Sequence, residues 1–213
     1  MDGADPQGRH RPRVTMQDWL DQAEIAALIQ NWALWRDTGD WEKLRTTVHP
    51  DATMTATWFH GRFDDFIDAA QASWRERSTS HHALGGTSVE INRIRAIAQT
   101  RMTLRVRTRL DGVEVDVTCH GRFFDRIEKR KSAWRIARRS LIYEADRIDP
   151  VEPGTRVALD RALLERFPEG YRHLAYVQTR AGAKVDPGLP TGLVDSQKKM
   201  INEARAWLAA APH

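Results

Sequence analysis

The sequence predicts an α+β fold, and three observations carry that expectation. Apolar residues recur at helical spacing in the N-terminal part of the chain. Two-residue alternation takes over from Arg101 to Tyr143. Tight-turn signals, Asp111-Gly112 above all, join the alternating segments into an antiparallel meander.

The elements follow in order. Met1 to Arg13 is polar with Gly and Pro, so residues 1–15 are expected to be a disordered tail without the apolar core of a signal peptide. Gln17 to Asp37 has Trp19, Ile25, Leu28, Ile29, Trp32 and Trp35 near a spacing of three and four, which predicts a helix. Asp18 and Asp21 suit its first turn, where they oppose the positive end of the helix dipole, and Gly39 stops it. Asp40 caps a short helix from Trp41 to Val48, ended by Pro50. Ala52 to Phe59, rich in Thr and aromatic residues, predicts a strand. A turn at His60-Gly61 leads to a third helix, Phe63 to Arg77, with Phe66, Ile67, Ala70 and Trp74 on one face. Ser88 to Ile94 predicts a strand. In Arg101 to Leu110, Met102, Leu104 and Val106 face one way and Arg101, Thr103, Arg105, Arg107 and Arg109 the other. Val113 to Ile127 alternates again, with Val113, Val115, Val117 and Cys119 on one side, and Trp134 to Tyr143 forms the last strand.

From Asp149 the pattern changes. Pro150, Pro153 and Gly154 break the sheet, Arg156 to Phe167 suits a short helix, and Pro168 to Pro190 reads as loop anchored by Tyr171 and Tyr176. Ser196 to Ala209 predicts a terminal helix. Residues 149–213 are too sparse in apolar side chains to hold a core of their own, so they are expected to pack on the main domain or on a neighbouring subunit.

Composition narrows the function classes. Hydrophobic residues make up 41% of the chain and charged residues 29%, an ordinary globular balance. No apolar run approaches the roughly 20 residues that span a bilayer. The single cysteine, Cys119, excludes an internal disulfide, and a cytoplasmic location is expected. The net charge of +4 comes from basic residues interleaved with acidic ones, without a recognition motif, so neither nucleic acid nor membrane is an expected partner. His49, His60 and His120 are scattered, which predicts no metal site; there is no Gly-rich phosphate loop and no Gly-x-Ser-x-Gly elbow.

Two short runs carry the chemistry. Ser80-His81-His82-Ala83-Leu84-Gly85-Gly86-Thr87 offers an imidazole just before a strand, and Trp35-Arg36-Asp37-Thr38-Gly39-Asp40-Trp41 offers a carboxylate near a helix end. A neutral imidazole held by a carboxylate accepts a proton near neutral pH without a metal. The order helix, Asp-x-Gly-Asp-Trp, helix, His-Pro-Asp-Ala, strand, helix, His-x-x-Gly-Gly, then long strands resembles the SnoaL-like branch of the NTF2-like superfamily over roughly Met16 to Ile148. The His82 to Thr87 run is most similar to that of scytalone dehydratases.

That resemblance implies a cone, residues 16–148, in which helices close a strongly curved antiparallel sheet around an apolar pocket. It implies a cofactor-independent lyase, dehydratase-like, acting on a small aromatic or polycyclic substrate, in a homo-oligomeric dimer or trimer. His82 takes the place of the catalytic base and Asp37 of its orienting carboxylate. Arg139 matches an arginine that a dehydrochlorinase of the superfamily places on the last strand, where its donors suit a developing anion or leaving group. Trp35, Trp58, Thr108, Cys119, Tyr143 and His81 are the expected substrate contacts, with His81 the alternative base. The sequence departs from scytalone dehydratases around the dyad: Arg36 replaces a tyrosine, Thr108 a second histidine, and Cys119 and Gly121 a serine and an asparagine. A retro-aldol lyase or ring isomerase could use the same dyad. A ligand-binding module, or the small subunit of a ring-hydroxylating dioxygenase, would not need it.

Overall fold

The computed structural model describes residues 15–75 and 79–212, with side chains for 15–72 and 80–212. Residues 1–14 of the expected tail, the last two residues of the expected third helix (76 and 77) and the side chain of Trp74 lie outside the described residues, whereas Thr15, also expected in the tail, caps the first helix.

Helix α1 (Met16–Thr38) begins in a capping box, Thr15 and Asp18 satisfying each other's backbone donors, and ends where Gly39 adopts φ 76°, a conformation that glycine reaches without strain. Ile25, Ile29, Trp32 and Ala33 form its buried stripe. Trp19, assigned to that stripe by spacing, is instead 64% exposed. Asp21 does not serve the dipole. It turns inward, accepting from Lys129 Nζ at 2.8 Å and Trp134 Nε1 at 2.9 Å, and so pins α1 to the last hairpin of the sheet.

Helix α2 (Trp41–Thr46) is followed at once by strand β1 (Val48–Ala56), so Pro50 lies within a strand. It is tolerated there because β1 pairs with β6 irregularly between Val48 and Thr53. The expected turn at His60-Gly61 is part of a short strand, β2 (Phe59–Arg62), leading into α3 (Phe63–Arg75). Strand β3 (Thr79–Asn92) starts well before Ser88 and carries both histidines within it. Gly85 and Gly86 together oppose Arg101 where the β3–β4 register shifts between Leu84 and Thr87, a bulge in which two residues face one. Strands β4 (Arg95–Leu110), β5 (Val113–Arg130) and β6 (Ala133–Pro150) complete a sheet of order β2-β1-β6-β5-β4-β3.

The fold is the expected α+β arrangement of helices on a sheet, with two corrections. The sheet is open, and it is mixed, because β1 runs parallel to β6. The main core lies between one sheet face and helices α1 and α3, with Trp32, Phe63, Phe123 and Ile127 fully buried. Residues beyond Pro150 join the same core through Phe167, Tyr171, Leu174 and Tyr176. The stretch expected as loop holds helix α5 (Arg172–Arg180), between a short α4 (Arg161–Leu164) and α6 (Val194–Ala209). Helix α6 packs on the opposite sheet face over Ile97, Phe124 and Ile142. Arg95 stacks on Trp207, 4.8 Å from the ring centre, and donates to the Trp207 and Ala210 carbonyls at the helix end. The extension thus packs Phe167, Tyr171, Leu174 and Tyr176 against its own chain, while Leu193 and Val194 stay exposed. No helix among the described residues is long and apolar enough to cross a membrane.

Candidate active site

The site begins with Asp37, in the last turn of α1. A carboxylate there opposes the negative end of the helix dipole, so the helix itself does not favour it. Its partners lie on β3, at the open edge of the sheet. Asp37 Oδ1 meets His82 Nδ1 at 2.7 Å, and Asp37 Oδ2 accepts from the His82 backbone N–H at 2.5 Å. One carboxylate thus occupies a vacant edge-strand donor and fixes the ring above it. Both side chains are largely buried, 9% exposed for His82 and 8% for Asp37. With Nδ1 donating to Asp37, Nε2 is the ring nitrogen left free to accept a proton.

Aromatic packing holds the imidazole from the side. Trp32 and Phe123 stand 5.6 and 5.9 Å from it, centre to centre. Burial pushes the His82 pKa below the usual histidine value; the hydrogen bond and charge of Asp37 oppose this, while Arg36 and Arg139 add to it. The net effect favours the neutral, basic form.

His82 opens on a cavity of about 350 Å³. The β3–β4 register explains its sheet wall: Ser80 pairs with Val106 and His82 with Leu104, so these side chains share one face, as does Thr108 further along β4. Arg36 and Trp58 form another part of the wall. Val177 and Gln178 of α5, with Ala181 and Ala183 after it, complete it.

Of the residues singled out from sequence, His82, Trp58 and Thr108 line this cavity, and Asp37 stands behind His82, bonded to it. The others do not line the cavity. Arg139 is fully buried on β6, bonded by Asp125 through Nε and Nη2 at 2.7 Å each, and its guanidinium lies 4.1 Å from Trp32 and 4.0 Å from Phe123. Its charge is engaged by Asp125, so it supports the rings behind His82. Trp35 is half-buried against the core. Cys119 is buried with Sγ 3.8 Å from the Gly170 carbonyl, and burial raises its thiol pKa. Tyr143 is buried against Tyr171, its hydroxyl accepting from the Thr57 N–H at 3.0 Å. His81 lies on the other face of β3, beside Thr103 and Arg105. Among the described residues no group of three or more His, Cys, Asp and Glu is placed to hold a metal ion.

Sequence reasoning missed Asp125, Ser80 and Gln178. Asp125 was legible as an acid in the inward phase of β5, in step with Val117 and Cys119. Ser80 shares the inward phase of His82 once β3 is known to begin at Thr79. Gln178 carries no sequence signal.

Comparison with known proteins adds to this geometry. The SnoaL-like domain matches residues 17–140. The chain belongs to the SnoaL-like domain family. It is 31% identical over 201 residues to a PEP2-like protein of Fusarium vanettenii, covering 89% of this chain and 86% of that one. Pea pathogenicity protein 2 of the same organism is 32% identical over 200 residues, covering 89% and 84%. Among solved structures, a hexachlorocyclohexane dehydrochlorinase (LinA type 2) superposes with TM-score 0.54 at 13% identity, covering 67% of this chain and 96% of that one. A scytalone dehydratase-like protein of Novosphingobium aromaticivorans gives 0.52 at 14% identity, covering 66% and 97%. At these identities the two structures establish the NTF2-like fold. The matched segment ends before α5, so part of the cavity wall lies outside it.

Proposed function

We propose that this protein is a lyase that removes an acidic C–H proton from a small ring-bearing substrate and eliminates a β-leaving group, most simply water. The observation that carries the reading is His82, held by Asp37, on the wall of a partly apolar cavity. His82 Nε2 takes the proton, and the C–H electron pair shifts toward an adjacent carbonyl. The imidazolium, stabilised by Asp37, returns the proton to the departing hydroxyl, so that water leaves and a double bond remains. Trp58, Leu104, Val106 and Val177 offer apolar surface to a flat ring. The dehydratase and dehydrochlorinase names among the fold neighbours agree with such an elimination. Proton abstraction is also the first step of a ring isomerase, and the product separates the two: loss of water for a lyase, a migrated double bond for an isomerase.

The test isolates proton transfer. Exchange of the α-protons of 2-tetralone in D₂O, followed by NMR, is expected to be accelerated by the protein. His82→Ala should lower that acceleration by ~10²–10⁴ and Asp37→Asn should also lower it. The double variant should lose little more than His82→Ala alone, because the pair acts as one unit. Exchange unaffected by either substitution would refute the reading.

A further inference from the structure

Three polar atoms in residues of the cavity wall are buried without a hydrogen-bond partner among the described residues: Arg36 Nη1, Ser80 Oγ and Gln178 Oε1. They come from three separate elements, α1, β3 and α5. A buried polar atom left unpaired costs about 1–3 kcal/mol, and more when it belongs to a charged group. Three of them around one cavity are the pattern expected of a site whose remaining hydrogen bonds come from its occupant.

Arg36 is the informative member. The other cation near the dyad, Arg139, has a dedicated carboxylate in Asp125. Arg36 has none within ion-pair distance among the described residues. Its neighbour Asp37 has committed both oxygens to His82. An arginine stays charged under these conditions, so the cavity presents one cation beside Trp58, Leu104 and Val106 that feels the charge of Asp37 but has no carboxylate in ion-pair contact among the described residues.

We propose that Arg36 is the oxyanion-binding residue of this cavity, and that its ligand is a flat ring compound bearing an oxygen that is anionic or becomes so. This rests on the reading of His82 as the base. As the C–H proton moves to His82 Nε2, the electron pair moves onto the ligand's carbonyl oxygen, giving an enolate. The Arg36 guanidinium meets that charge, and the Ser80 hydroxyl donates a second hydrogen bond to it. Gln178 on α5 takes a hydroxyl elsewhere on the ring. A fixed cation at the place where charge develops stabilises the transition state more than the neutral ground state. The part expected of Arg139 from sequence thus falls to Arg36, in the position where scytalone dehydratases have a tyrosine.

Binding tests this without turnover. The probes are 2-naphthoate, whose carboxylate stands in for the enolate, and 2-naphthamide, of the same shape but neutral. Affinities follow from quenching of tryptophan fluorescence, Trp58 being in the wall. The unsubstituted protein should prefer 2-naphthoate by about tenfold or more. Arg36→Gln should abolish that preference while holding 2-naphthamide affinity within about twofold. Arg36→Lys, which keeps the charge without the planar fork, should retain part of it. His82→Ala should keep the preference, which separates this site from the base. Equal affinities in the unsubstituted protein, binding of neither probe at millimolar concentration, or a preference retained by folded Arg36→Gln would each overturn the proposal. Absent 2-tetralone exchange alongside an intact preference would overturn the role of His82 and leave the anion site standing.

Discussion

Asp37 and Asp125 show how two acids in one core take different parts. Asp37 spends its oxygens on His82, one on the ring and one on the backbone, so the imidazole has a single orientation. Asp125 spends both on Arg139, and the two side chains are fully buried. Burial pushes the Asp125 carboxyl up, and the guanidinium fork beside it pulls it back down. Replacing both members by apolar residues of similar size would cost little, but removing one strands a buried charge. Asp125→Ala is therefore expected to destabilise the protein by about 3–5 kcal/mol, measured by urea unfolding. The larger loss in Asp125→Ala than in an Asp125→Leu, Arg139→Met double variant is the outcome that identifies a stranded guanidinium.

At the scale of elements, α1 was legible because its inward stripe repeats at helical spacing and Gly39 marks its end. The β4–β5 hairpin was legible through strict alternation and the Asp111-Gly112 turn. Helix α5 was not, for two physical reasons. It is only nine residues long, so its period covers barely two and a half turns and does not stand out from the Pro- and Gly-containing stretch around it. Its cap also comes from another element: Asp146 on β6 accepts from the His173 and Leu174 N–H groups at 2.7 Å each and from His173 Nδ1 at 2.8 Å. The true start of β3 was hidden by its two histidines and by the glycine pair, poor strand formers that pairing with β4 overrides. Because α5 carries Val177 and Gln178, its seating sets the shape of the cavity. Asp146→Ala should cost about 0.5–2 kcal/mol of stability, as for a lost helix cap. It should also weaken 2-naphthoate binding although Asp146 is not in the cavity wall, which calorimetric titration of the folded variant would measure. Gly170, just ahead of α5, sits so close to the Tyr143 carbonyl that a Cβ would collide with it.

Across the whole molecule, histidine burial ties stability to pH. His82 and His49 both have pKa values below the ordinary histidine value, with burial the main cause in each. Above about pH 6.5 both are neutral in the folded and unfolded states alike, and neither penalises folding. As pH falls through that value the unfolded chain binds protons that the fold still refuses, so stability declines until the folded-state pKa values are reached. The unfolding free energy from urea titration should therefore drop between pH 7.5 and 5, by up to about 1.4 kcal/mol per pH unit for each histidine. His82→Ala should have a shallower decline. The cavity spans the chain in another sense. Its imidazole–carboxylate pair lies within residues 17–140, whereas Val177, Gln178, Ala181 and Ala183 come from the last third. The wall opposite the sheet is thus contributed by a stretch of polypeptide outside the matched segment. Chimaeras that exchange the C-terminal third between relatives would therefore reshape one side of the cavity and leave the His82–Asp37 pair in place.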